Sequence, residues 1–340
     1  MKRLLVRRSA VGLALGALAA AGMASIPAPA HAVIADPTVG ASVNSYSEYY
    51  DDDVDHWVNC DETGVVDVDD SVVWSDNGVP VSRSVSAAGT YTDPNNAADK
   101  VNVSASGSAT VSSTPFTGGT APTTITGSAQ ATASAISQGA STKCDTNVNS
   151  EAGASGGLVL TQPMWVTLTV NGDGSGYGGV SFGGSDGGAQ IAAGKRGSAS
   201  ASALIPAGEA YFYFSASASA EADGADEGSR SYAATFKIEL QPLGSATVLT
   251  GKGKGYAQFA ARDCATGNVT AAITKKAKKK AKQVLINVNG AKVAKLKGKK
   301  LKKRTLVLPA APSSAAEVVA TITLKNGKKV TVTRSYLACS

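Results

Sequence analysis

The sequence predicts an all-β protein: two antiparallel β-sandwich domains behind a signal peptide, a larger jelly-roll-like body and a smaller immunoglobulin-like C-terminal domain. Three observations predict it. Apolar residues recur at every second position in many short segments, which is the period of a half-buried strand. Clusters of Gly, Asn, Asp and Pro separate those segments at turn-like spacing. Four cysteines, Cys60, Cys144, Cys264 and Cys339, fall two in each part of the 340-residue chain, and an even count in an exported chain favours disulfides.

Residues 1–32 read as the signal peptide. Arg3, Arg7 and Arg8 supply the charged start, Val11 to Ala24 the mildly apolar run, and Ala30-His31-Ala32 a small-x-small cleavage pattern. The run is interrupted by Gly and too short for an anchor. Arg7-Arg8 also admits a twin-arginine signal, although Ser9-Ala10-Val11 matches one poorly. No cysteine follows closely and no apolar tail precedes Cys339-Ser340, so no membrane span is expected in the mature chain.

Residues 33–250 form the body. Val101, Val103, Ala105 and Ala109 alternate with polar positions, as do Val166, Leu168 and Val170. Phe212, Phe214, Ala216, Ala218 and Ala220 repeat the pattern, followed by Tyr232, Ala234, Phe236, Ile238 and Leu240. Strand-like runs recur about ten times. Segments 209–222 and 230–241 are expected to pair as a hairpin over the Asp/Gly turn at 223–226. The Ser/Ala/Gly richness admits disorder or a solenoid, but alternation and enclosing cysteines argue for ordered strands and no repeat period is found. Stretches 114–126 and 183–197 read as the loosest.

Residues 251–340 form the second domain. Val269 to Thr274 is a short strand. Gln283 to Leu296 is a hairpin over a type I′ Asn289-Gly290 turn. Arg304 to Leu308 is another strand, and Glu317 to Leu324 with Lys328 to Tyr336 forms a hairpin across Asn326-Gly327. Six or seven strands in under 90 residues fit an immunoglobulin-like sandwich. The lysine run from Lys275 connects two strands, with one helical turn that puts Ala277 and Ala281 inward. Spacing favours Cys60–Cys144 and Cys264–Cys339 among the three possible pairings, with separations of 84 and 75 residues.

Several stretches of this second domain carry a resemblance. They are Asp263-Cys264, the Lys275–Lys279 run, Val284-Leu285-Ile286-Asn287-Val288-Asn289-Gly290, Ala320 to Lys328, and Arg334-Ser335-Tyr336-Leu337-Ala338-Cys339. Together they resemble the lysine-rich immunoglobulin-like modules at the C-termini of exported actinobacterial proteins. The resemblance covers about 80 residues. It implies a sandwich fold and an attachment or spacer role, and it brings no catalytic residues.

Charge divides the chain. Residues 33–250 carry 7 Lys plus Arg against 24 Asp plus Glu, a net of −17; residues 251–340 carry 21 against 2, a net of +19. The second field attracts polyanions. Lys275, Lys276, Lys278, Lys279, Lys280, Lys299, Lys300, Lys302 and Lys303 are the candidate polyanion contacts. The domain has few aromatics among its lysines, which argues against specific nucleic-acid recognition. In the body, Asp51, Asp53 and Asp55 are candidate calcium ligands, since calcium takes oxygen donors, though the loop order departs from an EF-hand. No other cofactor is expected. Trp57, Trp74 and Tyr177, with Trp165, Tyr211 and Tyr213, are candidate ring faces for sugars, against a simpler role in packing. His56 is the one histidine after the leader, and no Gly-x-Ser-x-Gly elbow accompanies it.

The expected protein is therefore secreted, non-enzymatic and associated with the cell envelope or wall, its basic tail attaching an acidic body to anionic wall polymers or glycans. A carbohydrate-binding, lectin-like body and an extracellular hydrolase are the alternatives.

Overall fold

The computed structural model describes residues 34–51, 55–118, 121–139, 142–184, 187–193, 196–224, 226–301 and 304–340. The signal peptide expected at 1–32 lies outside them. Those residues are nearly all strand.

In chain order the body strands are β1 (Ala35–Asp51), β2 (His56–Asn59), β3 (Asp61–Val65), β4 (Val68–Val73), β5 (Val81–Asp93), β6 (Asn96–Ser113), β7 (Thr123–Ser137), β8 (Thr142–Leu160), β9 (Met164–Gly174), β10 (Tyr177–Gly184), β11 (Gly187–Ala193), β12 (Arg196–Ile205), β13 (Gly208–Gly224) and β14 (Asp226–Pro242). All pairings are antiparallel. One layer runs β1-β8-β13-β10-β11, with β4 and β2 pairing different halves of the free side of β1. The other runs β3-β5-β6-β7-β14-β9-β12. The two layers pack face to face as a sandwich.

The inward residues are those that alternate in the sequence. Phe214 of β13 faces Phe236 of β14, their rings stacked at 4.4 Å, and Phe212 packs in the same interior. Further along β13 the interior is filled by Ala216, Ala218, Ala220 and Ala222, all buried. The Ser and Thr positions between them point outward. On the second layer they form cross-strand hydroxyl pairs, Ser82–Thr110 at 2.7 Å, Ser106–Thr132 at 2.8 Å and Thr167–Ser202 at 2.9 Å. The small-residue composition is thus an ordered sheet surface.

Two expectations are corrected. β13 and β14 pair only at their tips, through Ala222–Glu227 and Asp223–Asp226. Beyond those residues they part into opposite layers, because each carries a complete apolar face and the two faces bury each other across the interior. The described residues of the stretch 114–126, which leave out 119 and 120, are also better ordered than expected. Phe116 is 1 % exposed, its N–H donates to Asp76 Oδ2 at 2.7 Å, and β7 begins at Thr123. Likewise much of 183–197 lies in β10, β11 and β12.

The C-terminal strands are β15 (Ala257–Arg262), β16 (Val269–Ile273), β17 (Ala281–Val288), β18 (Ala291–Lys297), β19 (Arg304–Leu308), β20 (Ala316–Leu324) and β21 (Lys329–Tyr336). They make a three-stranded sheet, β15-β16-β19, and a four-stranded sheet, β18-β17-β20-β21. Seven strands in two antiparallel sheets match the expected immunoglobulin-like sandwich. Asn289 and Gly290 both have positive φ, 49° and 79°, as the type I′ turn requires. Helix α1 (Lys275–Lys280) is the turn expected in the lysine run, with Ala277 and Ala281 buried. Both disulfides pair as the spacing favoured, Cys60–Cys144 and Cys264–Cys339.

The body and the C-terminal strands have separate apolar clusters. Two hydrogen bonds among the described residues mark the junction between them. The Trp165 indole donates to the Ala338 carbonyl at 3.1 Å, and the Gly244 N–H donates to the same carbonyl at 3.1 Å.

Candidate functional surfaces

The lysines of the C-terminal sandwich converge on one end of its four-stranded sheet. That end holds the start of β17, the end of β18, the end of β20 and the start of β21, because Ala281 pairs with Leu324, Gln283 with Lys297 and Thr323 with Lys329. Helix α1 delivers its lysines there, and the Lys280 carbonyl accepts the Lys325 N–H at 2.9 Å. After β18 a 3-10 turn, Gly298–Leu301, buries Leu301 and turns Lys299 and Lys300 outward. Lys278, Lys279, Lys280, Lys282, Lys297, Lys299, Lys300, Lys325, Lys328 and Lys329 are all exposed. Lys275 and Lys276 start the same helix, and the Lys276 ammonium sits 5.1 Å from the Tyr256 ring centroid, a cation–π contact. Among the described residues none of these lysines forms an ion pair with a carboxylate.

This basic end lies away from the body. β21 starts there at Lys329 and finishes at Tyr336, two residues before Ala338 and the junction. Eight strand residues span about 24 Å.

Of the expected polyanion contacts, the structure brings together Lys275, Lys276, Lys278, Lys279, Lys280, Lys299 and Lys300; Lys302 and Lys303 lie outside the described residues. Sequence reasoning missed Lys282, Lys297, Lys325, Lys328 and Lys329. The signal was present in the two hairpin registers, which return distant lysines to a common edge.

The body carries its exposed aromatic rings on one layer. Tyr46, Tyr50, Trp57, Tyr177, Tyr211 and Tyr213 are exposed, and the registers of β1, β2, β8, β10 and β13 put them on the outer face of the first layer. Tyr211 sits between Gly157 and Gly183 on the neighbouring strands. A Cβ at Gly157 would stand 3.1 Å from Tyr211 Cε1, so the ring lies over that glycine. The Tyr213 hydroxyl donates to Glu151. The partial covering of the ring and that hydrogen bond push its phenol up to about 12.

At the end of this face farthest from Trp165, four carboxylates gather. Glu48 lies directly opposite Asp145, and Glu221 and Asp223 follow on β13. Partial burial, and then Asp223, Glu221 and Glu48, hold the Asp145 carboxyl above its ordinary value. Tyr46 lies opposite Asn147, whose amide donates to Glu221 at 2.9 Å. Trp57 packs edge-on to Tyr50 at 5.7 Å.

The remaining expected sites fall as follows. Trp74 is corrected: it is 2 % exposed, packs on Phe212 at 5.9 Å and has no ring face for a sugar. Burial satisfies both parts of the side chain: the ring is taken from water and the indole N–H donates to the Ser155 carbonyl at 3.4 Å. Trp165 is at the junction rather than in the core, and Tyr211 and Tyr213 are surface rings rather than packing residues. Asp51 ends β1 opposite His56. Asp55 accepts the Tyr50 hydroxyl, and Asp53 lies outside the described residues. Among those residues no three His, Cys, Asp or Glu side chains are placed to hold a metal ion. An open groove of about 370 Å³ crosses the outer face of the second layer, lined by Ser108, Thr110, Ser128, Gln130, Asn171 and Thr235.

No family model matches the sequence, and no curated protein matches it significantly. Among solved structures, a GH2 β-galacturonidase from Eisenbergiella tayi bound to glycerol is similar over 54% of this chain and 34% of its own length, at 11% identity and a TM-score of 0.16. The chain thus spans about a third of that enzyme. The adhesin domain of Epf from Streptococcus pyogenes is similar over 82% of this chain and 97% of its own, at 10% identity and a TM-score of 0.17. At these scores neither likeness bears on function. Two disulfides and no free cysteine suggest an extracellular protein. No helix among the described residues is long and apolar enough to cross a membrane.

Proposed function

We propose that the protein is a secreted, non-enzymatic component of the cell surface, held to anionic extracellular polymers by the basic end of its C-terminal sandwich. The observation that carries this reading is the convergence of lysines from 275–282, 297–300 and 325–329 on one end of a sheet, without ion-pair partners among the described residues. Ammonium groups on flexible stems act as point charges. They suit a polymer with repeating phosphates or carboxylates better than one rigid ligand. The resemblance to lysine-rich C-terminal modules belongs with this reading. Lys292, Lys295 and Lys297 also sit on the edge strand β18, where charge blocks strand addition, so part of the surface has a second use.

The test is retention of the purified protein on isolated cell walls across a salt series. Binding should weaken steeply with salt. Changing Lys278, Lys280, Lys299 and Lys300 to Gln should weaken it roughly tenfold or more. Salt-independent retention, or retention unchanged in the variant, would defeat the reading.

A second reading rests on the tyrosine face. A ring lying flat over glycine presents an apolar plane with a polar rim, which suits a pyranose. A glycan array probed with wild type and with a Tyr211→Ala, Tyr213→Ala variant tests it, and no wild-type signal would remove it.

A further inference from the structure

We infer that copies of this chain associate head to tail, the basic end of one C-terminal sandwich docking on the acidic, aromatic end of the next copy's body. Three observations converge. First, the two ends are opposite in charge: Glu48, Asp145, Glu221 and Asp223 gather at one end of a body of net −17, the lysines at one end of a domain of net +19, and those lysines have no ion-pair partners among the described residues. Second, each charged end lies away from the junction within its own chain. The basic end is at Lys329, with Tyr336 and Ala338 at the other end of that strand path. On the body, β8 runs from Asp145 at the acidic end toward Leu160, and Leu160 pairs with Gly208 at the start of β13. The junction residue Trp165 follows shortly after. Asp145 to Leu160 is about 50 Å of strand, well beyond the screening length of about 8 Å at physiological salt. Each end is therefore left to pair with another molecule.

Third, the acidic end is more than a run of carboxylates. Tyr46 and Trp57 are 57 % and 53 % exposed and share the face with Glu48, Asp145, Glu221 and Asp223. Exposed aromatics beside a charged patch are the usual anchors of protein interfaces. They also accept lysine ammonium groups over their faces, the arrangement Lys276 and Tyr256 already show within this chain. Lysines brought against Asp145 would relieve the like-charge crowding there.

The contact is heterologous: two different surfaces meet. Repeating it builds an open chain rather than a closed dimer unless the rotation closes a ring. It uses the same lysines as the proposed attachment but does not depend on that attachment, and growth along the chain would leave a free basic end for the polymer.

The experiment is sedimentation velocity of the full protein with two variants. One reverses the acidic end, Asp145→Lys with Asp223→Lys; both sites are solvent-accessible, and new lysines beside Glu48 and Glu221 favour folding. The other reverses the basic end, Lys299→Glu, Lys300→Glu and Lys328→Glu. Wild type should grow with concentration in about 0.1 M salt and be monomeric in about 1 M, where screening acts over about 3 Å. Each variant alone should stay monomeric. Mixed, they should associate, because each retains one working end and the two reversed ends are again opposite in sign. A wild type that stays monomeric at low salt overturns the inference. So does self-association surviving in either variant, or a mixture that fails to pair. Wall binding separates the two proposals: the acidic-end variant should keep it while losing self-association. A wild type that self-associates but binds no wall would defeat the attachment alone.

Discussion

The Arg262 guanidinium donates to the Leu337 carbonyl at 2.8 Å. The same side chain donates to Ser314 at 2.8 Å, Gly267 at 3.0 Å and Ala311 at 2.5 Å. It is 7 % exposed, and burial lowers its pKa. Four backbone carbonyls thus hold a buried cation and tie the start of the C-terminal sandwich to its end. The Cys264–Cys339 bond spans the same two segments. Replacing Arg262 with Met should cost about 3 kcal/mol, since it leaves carbonyls without donors. Opening the disulfide should cost on the order of 4 kcal/mol by chain entropy. Because the two devices constrain the same ends, their losses should fall short of additive in the double variant. Urea unfolding of the three variants measures this; strict additivity would show that they act apart.

Gly127 is a packing constraint rather than a turn. A Cβ there would stand 2.2 Å from Phe214 Cζ, and Phe214 is already stacked on Phe236. Gly127→Ala should destabilise the body by about 2 kcal/mol through overpacking. A companion Phe214→Leu should recover part of that loss. If Gly127→Ala unfolds like wild type, the two layers are looser at this point than their stacking implies.

Asp145 should make the acidic end pH-sensitive. Its folded pKa is raised, so the native state holds the proton more tightly than the unfolded chain does. Stability from this group is therefore greatest below the ordinary value of 3.8 and falls as pH rises through the raised folded value. Asp145→Asn removes the penalty. It should stabilise the protein at pH 7 by about half a kcal/mol, a figure reduced for solvent screening at a partly buried site, and change little at pH 3. Thermal melts at the two pH values check the sign. Destabilisation at pH 7 would mean that the carboxylate makes a favourable contact there.

Much of this was legible in the sequence. Period-two alternation at 212–220 and 232–240 identified strands and their buried faces correctly. Asn289-Gly290 fixed a hairpin, and spacing selected both disulfides. What failed was the pairing of β13 with β14. Two adjacent amphipathic strands can pair edge to edge or face each other across a core, and β13 and β14 do the second; local pattern carries no information on that choice. For the same reason Trp74 and Tyr211 could not be sorted into interior and surface from composition. Arg262 was missed because a single arginine in a basic domain gives no sign that its neighbours in space are carbonyls. The charged ends were visible as totals, but their positions depended on registers.

The parting of β13 and β14 into separate layers has a consequence for how the chain reaches its native state. β13 pairs with β8 and β10, and β14 pairs with β7 and β9, so the strands that knit each layer together are the last of the body to be synthesised. Pairings of such long sequence separation form slowly. A growing chain that ends before residue 208 lacks the strand that joins β8 to β10 and the strand that joins β7 to β9, so each layer stays divided into two separate pieces until the end of the body emerges.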